Sequence, residues 1–361
     1  PWGLFWRVGL PLARPAIATG VALALMETVA DYGTVAHFGV QTLTTGVFST
    51  WLSGNNAGGA AQIAGVILML ILLLVALERT GRRNARFHRM GRSGRPVERA
   101  RLSVARGWIA TGLCLVPFGL GFVLPVAVML DHSLANPEVW VAPGLLSALA
   151  NTLLVGGVAA GLTVGAALFL VYAVRMAGGG VARVVLPLTT LGYAAPGAVL
   201  ALGLLIPLAA LDNRVADAVL AVTGYDPGLI ITGTSAAIIL AYVVRFFGIA
   251  QGAADAAFGR VSPNLPLAAR SLGRSAGGTL GAVYLPMMRG SVATALLVVF
   301  VDCVKELPAT LLLRPFNFNT LSTRVYELAS LERLGEAAPA ALVVMAVGLL
   351  AVALLARANR V

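Results

Sequence analysis

The chain has 361 residues, 58% of them hydrophobic and only 11% charged, with a mean hydropathy of +0.88. Soluble domains carry roughly 25% charged residues, so an ordinary water-soluble fold is excluded, and so is disorder, which requires low hydrophobicity. The formal net charge of +11 must then reside in loops, and Cys114 and Cys303, far apart in apolar runs, imply no disulfide framework.

Eight apolar runs are long enough to cross ~30 Å of hydrocarbon; in chain order they are 13–35, 60–78, 108–130, 150–173, 184–210, 228–247, 289–313 and 337–356. Helices are expected, because lone strands would leave backbone groups unpaired in lipid. Between the second and third runs, Arg79 to Arg106 holds ten arginines against Glu78 and Glu98. Such a stretch reads as a cytoplasmic loop, not as a nucleic-acid site. This placement puts 21 of the 26 basic residues on one side, Arg175, Arg245, Arg260, Arg270 and Arg289 among them. Asp131, Glu138, Asp212, Asp217, Asp226, Glu327, Glu332 and Glu336 fall on the other. Both chain ends are then cytoplasmic. The start at Pro1, without a signal-peptide pattern, reads as a cut inside a longer protein.

An internal repeat organises these runs. The segment from Val8 to Trp51 matches the one from Val283 onward: Leu10 and Pro11 align with Leu285 and Pro286, Arg14 with Arg289, and Ala18 and Thr19 with Ala293 and Thr294, all at an offset of 275. After a three-residue insertion, Thr42, Leu43 and Thr45 align with Thr320, Leu321 and Thr323. Residues 1–79 thus read as the last two spans of a first unit, 80–107 as an Arg-rich linker, and 108–361 as a six-span second unit. Both copies of the Leu-Pro step lie on the same side, so the repeat is parallel. By symmetry, roughly 180 to 200 residues would complete the first unit.

The long loop between the sixth and seventh runs, at about 248–288, contains SPNLPLAARSLGRSAGGTLGAVYLPMMRG. Pro266 suits a first helical turn, Ala268 to Leu272 favour helix, and Gly273 can end it in the left-handed conformation. The spacing of Ala268 and Ala269, Gly273, Val283, and Leu285 with Pro286 resembles the EAA loop of permease subunits of binding-protein-dependent ABC importers, with Leu267 in place of the motif's glutamate. In that family the loop is a coupling helix seated on the ATP-hydrolysing subunit. Val8, Leu10 and Pro11 resemble the tail of the same motif in the first unit. The segments KELPATLLLRPFNFNTLSTRVYELASLERLGEAA, from Lys305, and ADYGTVAHFGVQTLTTG, from Ala30, further resemble fused two-unit permeases of the iron(III) type.

That resemblance implies an all-α polytopic membrane protein of the MetI-like permease fold, with a tandem parallel repeat, in the bacterial inner membrane. It implies two copies of an ATP-binding subunit and a periplasmic solute-binding protein as partners, with iron(III) as the leading cargo and thiamine or another small solute behind it. An ion-coupled secondary transporter is the reading from a different class. No Walker-type phosphate loop occurs in the chain, so the energy source is expected on another polypeptide and the chain itself is not expected to be an enzyme.

Charges inside apolar runs cost about 2.5–3.5 kcal/mol each on insertion scales and usually face a bundle interior or a wet cavity. Glu27 and Asp31 lie four apart on the first run, and their repeat partners are Asp302 and Glu306; Lys305, the one lysine, is three residues from Asp302. These five read either as lining the pathway or gate between the units or as an interhelical salt-bridge cluster near breaks at Gly33 and Pro308. Tyr193, Pro196, Gly197 and Gly203 mark a candidate broken helix in the fifth run. His37, His88 and His132 stand in separate segments, so neither a metal site nor a cofactor is assigned.

Overall fold

The computed structural model describes residues 2–83, 103–177, 180–262 and 264–358, and every regular element among them is helical. His88 and the greater part of the Arg-rich linker lie outside the described residues. Seven helices are long and apolar enough to cross a membrane, and a bent pair covering Phe5 to Ala30 makes an eighth span. The all-α polytopic architecture expected from composition is the one observed.

In chain order, a π-helical turn, Phe5–Gly9, leads into α1 (Leu10–Ala30), and two short helices, α2 (Gly33–His37) and α3 (Leu43–Phe48), precede α4 (Ala57–Arg83). The second unit contains α5 (Val104–Ala135), α6 (Leu145–Ala177), α7 (Gly180–Thr189), α8 (Leu191–Ala194), α9 (Gly197–Thr223) and α10 (Ser235–Gly259). It continues with α11 (Asn264–Ser271), α12 (Ala276–Val304), α13 (Pro308–Leu313), α14 (Leu321–Ser330) and α15 (Leu334–Ala358).

The repeat seen in sequence is also a repeat of local structure. At an offset of 275, the π turn Phe5–Gly9 recurs as Leu280–Tyr284, and α1 recurs as the segment Leu285–Val304 of α12. Pro11 and Pro286 explain both turns: proline lacks an N–H and its ring crowds the carbonyl four residues back, so the preceding turn widens. Pro125, six residues after the start of the π turn Gly119–Val123 in α5, repeats the arrangement. At an offset of 278, the capping box of Thr42 and Thr45 at α3 recurs as Thr320 and Thr323 at α14. A π turn at Ser49–Ser53 then absorbs one extra residue in the first copy, so Ala57 at the start of α4 corresponds to Leu334 at the start of α15.

Four spans depart from their expected limits. The first run, expected to reach 35, ends at Ala30. The sixth run continues as helix to Gly259, because Ala250, Ala254, Ala257 and Phe258 keep a buried seam well beyond position 247. Residues 248–259 therefore belong to a span and not to the coupling loop, and Val283, Leu285 and Pro286 lie in the first turns of α12. The seventh run ends at Val304, and Pro308 starts a separate helix. The fifth run is broken at Ala195 and Pro196, which are extended at ψ 131° and 147°.

The core lies where α6, α9, α10 and α12 meet α4 of the first unit. Small residues allow the close approach: Ala148, Ala159, Ala160 and Ala167 on α6 and Ala237, Ala241 and Ala250 on α10 are fully or nearly fully buried. Asp212, expected among the loop carboxylates, is instead buried on α9, where it accepts hydrogen bonds from the backbone N–H and hydroxyl of Thr232, both at 2.6 Å. It ties α9 to the loop before α10. A satellite cluster of Tyr172, Phe258, Tyr284 and Met288 lies under α11, and the Tyr172 hydroxyl donates to the Ala276 carbonyl at 2.7 Å.

Candidate functional site: a charged cavity where the helices break

Three breaks in the helices converge between the two units. α1 stops at Ala30, with Asp31 in extended conformation, and α12 stops at Val304, with Leu307 at φ −108° ahead of Pro308. The third break is the Ala195–Pro196 step between α8 and α9. A helix end in a membrane exposes carbonyls or N–H groups that must be satisfied by protein or by water in a cavity. Here the repeat uses one device twice: the Thr44 hydroxyl donates to the Asp31 carbonyl at 2.8 Å, and the Ser322 hydroxyl donates to the Glu306 carbonyl at 2.9 Å.

The breaks enclose a cavity of about 440 Å³, in the half of the bundle remote from α11. Glu27, Asp31, Asp302, Lys305 and Glu306 all line it, together with Tyr193 and Arg245, neither of which was grouped with these charges from sequence. Four carboxylates face two cations, so the lining carries a formal charge of −2. Glu27 and Asp302 are equivalent under the repeat, as are Asp31 and Glu306, which makes the charge arrangement two-fold in origin.

The ion pairs differ from the expected single cluster. Lys305 Nζ lies 2.8 Å from Asp302 Oδ1, but its side chain is 62% exposed. The buried pair is Arg245 with Glu306: Nε lies 3.2 Å from Oε2, with side-chain exposures of 12% and 6%. Arg245 Nε meets the carboxylate as an ion pair without hydrogen-bond alignment, while Nη1 donates to the Ala195 carbonyl at 3.2 Å. Glu306 Oε1 in turn accepts from the Ala309 N–H at 3.1 Å. One ion pair thus satisfies the end of α8 and the start of α13. From charge counting, Arg245 falls with the cytoplasmic-side arginines; it stands instead in mid-helix on α10, facing the cavity, and the signal is its position as a single cation inside AYVVRFFGIA.

Gly197 makes this junction possible. A Cβ there would collide with Glu306 Oε1 and sit 2.8 Å from Arg245 Nη1 and 3.1 Å from the Ala309 nitrogen. Gly197→Ala is therefore expected to displace the pair and to lower the thermal midpoint in detergent, whereas Gly203→Ala, with open space around the added carbon, should leave it unchanged. Thermal unfolding of the two purified variants checks this.

Tyr32, itself on the cavity lining, stacks on Phe48 at 3.7 Å between ring centroids and shares a 2.8 Å hydroxyl hydrogen bond with Tyr326 of the second unit. Tyr193 reaches toward Glu27 Oε1 at 3.5 Å, a long contact that leaves the carboxylate open to the cavity. Among the described residues no group of three or more His, Cys, Asp or Glu side chains is arranged to hold a metal ion.

The remaining sequence-derived residues form a second region. In α11, Leu267, Ala268 and Ser271 are exposed, as is Leu272 just after it, while Ala269 is half-buried and Pro266 is buried. Gly273 adopts φ +83°, with its N–H bonded to the Arg270 carbonyl and the Arg274 N–H to the Ala269 carbonyl, which ends the helix in the left-handed turn expected of it. Val283 is half-buried, and Leu285 and Pro286 are exposed on α12.

No family model matches the chain. It is 28% identical over 345 residues to an Fe(3+)-transport system permease protein, FbpB 2, of Haemophilus influenzae, an alignment covering 94% of this chain and 65% of the relative. It is 22% identical over 335 residues to the ferric transport system permease protein FbpB of Actinobacillus pleuropneumoniae, covering 86% of this chain and 45% of that protein. A shorter match, 38% over 79 residues, is to a sulfate transport system permease protein, cysT, of Chlorokybus atmophyticus, covering 20% of this chain and 28% of the relative. The chain thus spans about two thirds or less of the length of the curated relatives it matches. The resemblance carried by the loop and the repeat is thus met by the comparisons: this is a multi-pass helical chain similar, along nearly its whole length, to permease proteins of ferric transport systems.

Proposed function

We propose that the chain forms part of the translocation pathway of an ABC importer for iron(III), in which cargo delivered by a periplasmic binding protein crosses through the cavity between the two units. The observation that carries this reading is the meeting of three helix breaks and six charged side chains in one cavity at the interface of a parallel repeat. Broken helices near the middle of a bundle place backbone dipoles and open polar groups where a solute must pass. A net negative lining suits a cation more than an anion.

The energy source in this reading is a pair of ATP-hydrolysing subunits, one of them docked on α11, where exposed Leu265 and Leu267, with Leu272 just past the helix end, offer apolar side chains to a groove. Both chain ends and α11 then lie in the cytoplasm, and the cavity opens toward the periplasmic side of the inner membrane. α11 packs on the π turn Leu280–Tyr284, and Tyr284 in turn packs with Tyr172 and Phe258 of the spans. The test uses the full permease assembled with its ATPase in proteoliposomes. Iron-loaded binding protein is expected to stimulate ATP hydrolysis, and Gly273→Glu, which strains the left-handed turn and adds a charge at the docking face, should abolish that stimulation while the permease stays inserted. Uptake driven by an ion gradient without nucleotide would overturn the proposal in favour of a secondary transporter.

A further inference from the structure

α11 is eight residues long and gives most of its surface to solvent. Pro266 is buried and Ala269 half-buried, while Leu267 is 60% exposed and Leu272, just past the helix end, 85% exposed. Arg270 in the last turn and Arg274 after the left-handed Gly273 are exposed as well, and neither has an ion pair among the described residues.

The surroundings carry the same sign. From 256 to 301 the chain contains no aspartate or glutamate, and the four arginines of that stretch, Arg260, Arg270, Arg274 and Arg289, are all exposed. Asp255, the last carboxylate before it, is already paired with Arg175 at 2.8 Å. A helix C-terminus attracts a cation in its last turn, which accounts for Arg270. It does not account for Arg260 at the end of α10 or for Arg289 on α12. The position that holds glutamate in the loop this segment resembles is Leu267, so this face lacks the one negative charge that the motif would give it.

An anionic bilayer surface also attracts arginine, but helices that lie on a bilayer separate an apolar face from a charged one. On α11, Leu267 and Arg270 stand three residues apart on one face, with Ser271 beside them. That mixture suits a protein groove with an apolar floor and charged walls. Resting on the docking of an ATP-hydrolysing subunit at α11 proposed above, we infer that the receiving groove of that subunit is acidic: carboxylates on its rim meet Arg270 and Arg274, and its apolar floor takes Leu267. The contact then has the opposite charge sense to one built on a glutamate at position 267. The same chemistry sets partner choice, because an ATPase with a basic groove is rejected by like charge.

The test measures binding of the ATP-hydrolysing subunit to the full permease in nanodiscs of neutral lipid and, in parallel, of lipid containing an anionic fraction. In neutral discs, affinity is expected to fall about tenfold or more when Leu267→Glu sets a carboxylate against the acidic groove, and far less for Leu267→Gln, which has the same size without the charge. Arg270→Glu with Arg274→Glu should behave like Leu267→Glu, whereas Arg270→Lys with Arg274→Lys should keep most of the affinity. Raising salt from about 0.1 M to about 1 M, which shortens screening from ~10 Å to ~3 Å, should weaken the parent complex. Tighter binding by Leu267→Glu, or an affinity insensitive to salt and to both glutamates, would overturn the inference while leaving docking on α11 in place. Charge effects confined to the anionic discs would also overturn it, assigning the arginines to the membrane surface. A parent permease that binds no ATP-hydrolysing subunit would remove the docking reading and the inference with it.

Discussion

Removing the Glu306 carboxylate, as Glu306→Ala, is expected to destabilise the protein by about 3–5 kcal/mol, the range for breaking a buried ion pair by deleting one partner. Arg245 would be left charged inside the bundle, and the Ala309 N–H at the start of α13 would lose its acceptor. The double variant Arg245→Met with Glu306→Leu removes both charges and should recover much of the loss, because the pair's desolvation penalty disappears with it. Lys305→Met breaks only an i,i+3 pair whose lysine is mostly exposed, and should cost about 1 kcal/mol or less. Equilibrium unfolding in mixed micelles separates these cases. A Lys305 effect as large as that of Glu306, with no recovery in the double variant, would mean that the buried pair does not hold the junction.

The contrast between the two repeat-related carboxylates follows from the same geometry. Glu306 has Arg245, whereas Asp31, half-buried at the end of α1, has no ion pair among the described residues. Glu27 likewise has no ion pair within 4 Å among the described residues and receives a long contact from Tyr193. The structural load therefore falls on Glu306, while Glu27 and Asp31 line the cavity without an ion pair among the described residues and Asp302 meets only the mostly exposed Lys305.

Much of this was legible in the sequence because the repeat is written in it. The offset between Leu10 and Leu285 located the units, and the intramembrane charges at 27, 31, 302, 305 and 306 fall in one cavity. The left-handed turn at Gly273 followed from local chemistry alone. What hydropathy could not show is where a helix stops inside an apolar run: the windows covering 184–210 and 289–313 remain apolar through the breaks at Pro196 and Leu307. Such breaks are decided by which hydroxyl or charge satisfies the freed backbone, as Ser322 does for the Glu306 carbonyl across 16 residues and Arg245 for Ala195 across 50. Arg245 was missed because loop and cavity arginines look alike until the partner on another helix is known. The alanine seam that extends α10 to Gly259 is hidden for a related reason, since alanine is common on every face of these spans.

The cavity's role is tested most directly by neutralising the repeat-related pair, Glu27→Gln with Asp302→Asn, in the full permease. The side chains keep their size, and neither carries the buried Arg245 pair, so the thermal midpoint in detergent should remain close to that of the parent protein. Iron(III) uptake into proteoliposomes, supplied with binding protein and ATP, should be lost in the same preparation. Parental uptake by a stably folded double variant would contradict a pathway through this cavity.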